Sequence, residues 1–186
     1  MYERKNTLNA GHVVLLFFTL CIIIQVIRYS IYENGRYHIN SKEKLIQYVI
    51  KDEAKLDKLV NSLVNSKEFF DKKRISIDYY TETSKYYTNY NNELLNEIFY
   101  NYKVSNLYAN NEKRIYVEFS LMKRSNIAYG YGFYYTEDDK PRAWQSDDED
   151  RLIVNGNGYI DEKEKEYYTE KIINHWYYYQ INNWGF

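Results

Sequence analysis

Residues 10–27 form an unbroken apolar run, AGHVVLLFFTLCIIIQVI, with no Asp, Glu, Lys or Arg among its 18 positions. At about 1.5 Å rise per residue such a run makes roughly 27 Å of helix. That approaches the ~30 Å hydrocarbon core of a bilayer. Its polar members are His12, Thr19 and Gln25, and His12 and Gln25 lie near the ends, where side chains reach the headgroups. Arg4 and Lys5 precede the run, Arg28 follows it, and Tyr29 and Tyr32 suit an interfacial belt. The expectation is a tail over 1–9 and a transmembrane anchor over 10–28. A cleaved secretory signal is the rival. It wants a shorter apolar core and a small-x-small cleavage site, whereas bulky Ile27, Tyr29, Ile31 and Tyr32 follow here. Basic residues on both sides leave the positive-inside count undecided. A short basic tail before a first apolar segment is a signal-anchor layout, which places the C-terminal domain outside the cytoplasm.

About 155 residues follow the run, the size of one domain able to bury a core. A net charge of −1 and a pI near 6.3 provide no basic excess for nucleic acid. Cys21 is the sole cysteine and sits inside the run, so the remainder has no disulfide and no thiolate ligand. The 24 tyrosines, with abundant Asn, Lys and Ile, are residues of AT-rich codons and fit a low-GC bacterial source.

Residues 29–40 read as a juxtamembrane linker with a turn signal at Asn34-Gly35. Asn40 with Glu43 resembles a capping box. Leu45, Ile46, Val49, Ile50, Leu56, Leu59, Val60 and Leu63 then recur at helical spacing up to about Ser66. Asp52-Glu53 marks either a break between two helices or a polar face on one. Residues 74–80 alternate as a half-buried strand. Residues 92–102 carry Leu94, Leu95, Ile98 and Phe99 on one helical face, and 104–109 form a weaker strand. In residues 114–122 Ile115, Val117, Phe119 and Leu121 face one way, and Arg114, Tyr116, Glu118 and Ser120 the other. A turn over 123–126 and a return strand over 127–135 complete a hairpin. Residues 152–154 and 159–160 read as short strands around an Asn-Gly turn. Residues 161–173 lean to helix because acidic residues open them, and 175–181 form a last, aromatic strand. The fold class is therefore α+β: an N-terminal transmembrane helix, then helices followed by a mainly antiparallel sheet, with 41–186 a single domain.

Candidate chemistry is sparse. Beyond the run only His38 and His175 remain to pair with a nucleophile, and no Walker loop, G-x-S-x-G or G-x-G-x-x-G motif occurs. Residues 153–164 resemble an EF-hand loop, with Asn155, Asn157, the Tyr159 carbonyl, Asp161 and Glu164 at calcium-ligand positions. Ile153 stands where the first Asp belongs, which weakens such a site; a plain Asn-Gly turn is the simpler reading. Seven carboxylates within residues 137–150 suit a hard cation or a solvated loop. Asp78 and Glu118, on polar strand faces, are candidates for paired acid–base catalysis if their strands are neighbours; pairing with Arg74 or Arg114 is the structural alternative.

Tyr129, Tyr131, Phe133 and Tyr135 share a strand face opposite Ala128, Gly130 and Gly132. With Trp176, and with Trp144 and Trp184 in reserve, they form either core or a recognition surface. The bare glycine face suits close approach of another chain segment, such as a helix laid on the sheet. The expectation is a membrane-anchored, non-catalytic envelope protein, held by residues 10–28, whose exported domain binds a protein partner or, second, a cell-wall glycan. A small envelope hydrolase using Asp78 and Glu118 is the alternative.

Overall fold

The apolar run folds as helix α1, Ala10–Asn34, in a computed structural model that describes residues 10–34, 37, 39, 41–78, 92–121 and 130–181. Thr19 satisfies its hydroxyl internally, donating to the Leu15 carbonyl at 2.9 Å. The helix continues past Arg28 to Asn34, into the stretch expected to be linker. Among the described residues no helix is long and apolar enough to cross a membrane. Two compact units result, Met1–Arg36 and Tyr37–Phe186.

In the second unit, helix α2 covers Lys42–Val64 without a break. Ser41, not Asn40, caps it, because the Ser41 hydroxyl accepts from the Lys44 N–H. Asp52 lies on its buried face instead of interrupting it: the carboxylate accepts from the Tyr37 hydroxyl and, at 3.2 Å, from Tyr102. Tyr37 in turn stacks on Tyr48 at 3.9 Å and donates its N–H to Asn101, which pins the start of the unit. Ser66 then caps a short helix α3, Lys67–Lys72, for which the apolar spacing carried no signal. Helix α4, Glu93–Tyr102, begins at the Asn92 cap and buries Leu95, Ile98, Phe99 and Tyr102.

Eight strands make one antiparallel sheet: β1 Arg74–Asp78, β2 Val104–Asn110, β3 Tyr116–Leu121, β4 Tyr131–Thr136, β5 Leu152–Asn155, β6 Gly158–Asp161, β7 Tyr167–Ile173 and β8 Trp176–Ile181. Their order is β1-β2-β3-β4-β8-β7-β6-β5. From β4 the chain crosses to the far edge, then returns strand by strand to lay β8 against β4. One face carries α2, α3 and α4 over a core of Val117, Phe119, Phe133, Trp176 and their neighbours. The other face is tyrosine-rich and lies under the β4–β5 connection. Lys42 at the start of α2 pairs at 3.0 Å with the buried carboxylate of Glu170 on β7.

The helix expected over 161–173 is instead a turn followed by β7. Asp161 collects the N–H groups of Lys163 and Glu164, which closes the turn, and Tyr167 to Ile173 then pair along β8. Alternating Glu and Lys favour helix locally, but the Tyr, Thr and Ile that follow have a sheet edge to join. His38, Trp184, the 79–91 connection and the 123–126 turn lie outside the described residues.

Helices α3 and α4 both end on a lysine in the left-handed region, Lys73 (φ 58°) and Lys103 (φ 56°), where glycine is favoured. Lys103→Gly is therefore expected to raise stability by about 0.5–1 kcal/mol, read as a higher urea midpoint at unchanged slope. An unchanged or lower midpoint would mean that the lysine stem contributes packing of that size.

Candidate functional site

Strand alternation puts Tyr116, Glu118 and Ser120 of β3 on the tyrosine face. The register then brings Tyr108 from β2 and Tyr134 from β4 to either side of Glu118. Tyr116, Tyr134, Tyr167, Tyr177 and Tyr179 form a buried cluster, with Tyr108, Trp144 and Ile181 packed against it. Glu118 is its polar centre, accepting from the hydroxyls of Tyr116, Tyr179 (2.7 Å) and Ser120 (3.0 Å). An ionised carboxylate offers about four acceptor positions, and three hydroxyls occupy most of them. The Arg142 guanidinium lies 4.0 Å above the Tyr116 ring and 3.2 Å from Asp147.

Burial raises the hydroxyl pKa values of Tyr116, Tyr167 and Tyr179 well above the ordinary tyrosine value. The negative charge of Glu118 adds to the rise in all three. Burial takes Tyr134 to about 12. These phenols stay protonated donors at neutral pH, so the arrangement orients and accepts hydrogen bonds.

Gly132 makes the cluster possible. A Cβ there would sit 2.1 Å from the Phe119 carbonyl oxygen and 2.9 Å from the Tyr179 ring. The bare face therefore receives a tyrosine ring from β8, not the helix suggested by its sequence. That ring carries the Tyr179 hydroxyl to Glu118 and Ser120.

The aromatic face of β4 points the other way, into the core. Phe133 is fully buried and stacks on Phe119 at 4.8 Å; Tyr131 and Tyr135 are half-buried. Trp176 is also fully buried and donates its indole N–H to Asp57 at 2.9 Å. Phe133 and Trp176 thus offer no ligand surface, because helices cover the face that they occupy. Tyr129 lies outside the described residues.

Asp78 and Glu118 are not on neighbouring strands. β2 lies between them: Asp78 is opposite Asn106, and Glu118 opposite Tyr108. Asp78 accepts from the Asn106 amide and does not join the hydroxyl ring. The arginines proposed as their partners also pair elsewhere, Arg74 with Glu112 and Arg114 with Asp138.

The EF-hand-like segment is a β-hairpin, closed by the pair Asn155 and Gly158 around a two-residue turn with Gly156 at φ 60°. Glycine first in such a turn matches the II′ geometry of hairpins. Tyr159 is paired between Val154 and Thr169; Asn155, Asn157 and Glu164 are exposed. Asp161 is fully buried and committed to the Arg151 guanidinium (2.7 Å) and three backbone N–H groups. A helix-flanked calcium loop is therefore not what these residues build. Among the described residues no group of three or more His, Cys, Asp or Glu is placed to hold a metal. Four of the seven carboxylates of 137–150 pair with bases: Asp138 with Arg114, Asp139 with Lys171, Asp147 with Arg142 and Glu149 with Lys140.

The hydroxyl ring about Glu118 escaped sequence reasoning, although Tyr-x-Glu-x-Ser in β3 supplies Tyr116, Glu118 and Ser120, and β8 adds Tyr179. The missing datum was that β8 lies two strands from β3, across Gly132. Set against family models, curated proteins and solved structures, the chain finds no match.

Proposed function

We propose that the chain is a non-catalytic, membrane-anchored envelope protein whose domain, held outside the cytoplasm, binds a protein partner. The observation that carries the anchor is the state of α1. Its described large apolar side chains between Val14 and Ile27 are 43–67 % exposed, among them Leu15, Phe17, Phe18, Leu20, Ile22 and Val26. They point around the whole circumference, as in a helix that belongs in lipid or in a core. At about 1.5–3 kcal/mol per side chain, keeping these in water costs tens of kcal/mol. The uncharged apolar run spans 18 residues of the sequence. A non-catalytic role is supported by the separation of Asp78 from Glu118 and by the three hydroxyls on Glu118. A cell-wall glycan is the second ligand class, favoured by the half-exposed Tyr108 beside Glu118 and Asn106.

Fractionation of cells making the full chain tests the anchor. The chain is expected to stay with membranes through alkaline carbonate and to leave only with detergent. Phe18→Lys with Ile22→Lys is expected to release it, since two mid-helix lysines cost about 5–7 kcal/mol on insertion. A native chain found in the detergent-free soluble fraction would overturn the reading.

A further inference from the structure

The two edges of the sheet are finished differently. β1, at one edge, is guarded by Lys72, Lys73, Arg74 and Asp78, all charged. β5, at the other, reads Leu152-Ile153-Val154-Asn155, with Ile153 46 % and Val154 73 % exposed. Edge strands normally carry a lysine, a proline or a bulge against pairing; β5 has none of these.

Its backbone register is defined. The hairpin closes on Asn155 and Gly158, and the Glu162 N–H donates to the Arg151 carbonyl at 2.7 Å. Positions 151, 153 and 155 therefore bond inward to β6, and 152 and 154 turn their backbone groups outward. The Leu152 N–H is used by the Glu149 carbonyl. This leaves the Leu152 carbonyl and both backbone groups of Val154 without a partner among the described residues.

We infer that β5 is a self-pairing edge, which joins a second copy of this chain in antiparallel register centred on Ile153. In that register Val154 lies opposite the partner's Leu152, each Val154 N–H donates to that carbonyl, and Ile153 meets its own copy. Charge selects the antiparallel arrangement. Asp148, Glu149 and Asp150 precede the strand, and Asn155-Gly156-Asn157 end it. Antiparallel pairing carries the acidic 3-10 turn, Glu149–Arg151 capped by Asp148, toward the partner's neutral Asn155-Gly156-Asn157 turn, whereas parallel pairing brings one acidic turn beside the other. Centring on Val154 instead would place Leu152 opposite a glycine and lose the apolar contact.

The register dictates a crosslink. Ile153 and its copy form a non-hydrogen-bonded pair with Cα atoms about 4.5 Å apart, inside the disulfide range of about 4.4–6.8 Å. The Val154 pair is about 8–9 Å apart, two residues out of register. In full-length Cys21→Ala chain under a glutathione redox buffer, Ile153→Cys is expected to form disulfide dimer at least about tenfold faster than Val154→Cys or the exposed Phe70→Cys control. Adding Val154→Lys to Ile153→Cys should return the rate to that of the control. In the Cys21→Ala chain itself, protection of the Val154 amide against hydrogen exchange should grow with concentration. Ile153→Cys crosslinking no faster than Phe70→Cys, Val154→Cys crosslinking faster than Ile153→Cys, or a Val154 amide unprotected at every concentration would each overturn the inference. None of these readouts depends on whether α1 enters a membrane.

Discussion

Asp161→Ala is expected to destabilise the Tyr37–Phe186 unit by about 3–5 kcal/mol, the usual effect of stripping one member from a buried ion pair. The side chain is fully buried and holds together three separate stretches. It accepts from the Trp144 N–H (2.9 Å) in the β4–β5 connection, from Arg151 at the start of β5, and from Lys163 and Glu164 in the β6–β7 turn. Removal leaves Arg151, itself mostly buried, without its counter-charge, and three N–H groups without acceptors. Urea denaturation reads the loss as a lower midpoint. Tryptophan fluorescence should also shift, since Asp161 accepts the Trp144 N–H and the Trp144 ring packs on Tyr167. A loss below about 1 kcal/mol would mean that water replaces the carboxylate at the same site.

The same carboxylate predicts an acid limb. Burial pushes its pKa up, but the hydrogen bonds from Glu164, Lys163, Arg151 and Trp144 outweigh that push, and the native carboxyl titrates below its usual range. A group with a lowered native pKa contributes its full stability above the unfolded value of about 3.9 and loses it as pH falls through the native one. Wild-type stability should therefore decline below about pH 4 more steeply than that of Asp161→Ala.

Gly132→Ala is the second large effect, a loss of at least about 3 kcal/mol, at the upper end of what overpacking costs. The new methyl would meet a backbone oxygen, that of Phe119, at 2.1 Å, so a side-chain adjustment cannot relieve it. β3 and β4 must part, and Tyr179 must leave Glu118 and Ser120. For a domain of this size that is a drop in Tm on the order of 6–12 °C. Gly130→Ala is the internal control: among the described residues its Cβ meets only the Ile181 Cδ1 atom, at 3.3 Å, and the end of a flexible side chain can yield. Equal melting of the two variants would contradict the packing described around Gly132.

The alternation in Arg74–Asp78 and the 3.6-residue spacing in Glu93–Tyr102 made those elements readable, because each has one wet and one buried side; Tyr116–Leu121 was readable because its apolar row faces the helices and its polar row the tyrosine cluster. β4 left core and recognition surface both open for the opposite reason. Both of its faces are covered, one by helices and one by the tyrosine cluster and the β4–β5 connection, so alternation could not tell which aromatic row was core. β7 was misread because its acidic approach is a turn, closed by Asp161 on the Lys163 and Glu164 N–H groups, and Asp161 is itself fixed by Arg151 and Trp144 from earlier in the chain. Asp78 and Glu118 were assigned correctly to polar faces, yet their partnership depended on strand order.

What the amino-acid order determined alone is local: an uncharged apolar run of 18 residues near the start, α2, α4 and most strands, and an α+β class of helices before an antiparallel sheet. What the tertiary structure decided is neighbourhood. It set β2 between two carboxylates, laid β8 beside β4 so that Tyr179 fills the space over Gly132, and turned a calcium-like loop into a hairpin locked by Arg151 and Asp161. The reason is physical. A period of 2 or 3.6 residues records which side of an element meets solvent, whereas the partner across a sheet is chosen by packing among residues that lie up to 128 positions apart, as Lys42 and Glu170 do.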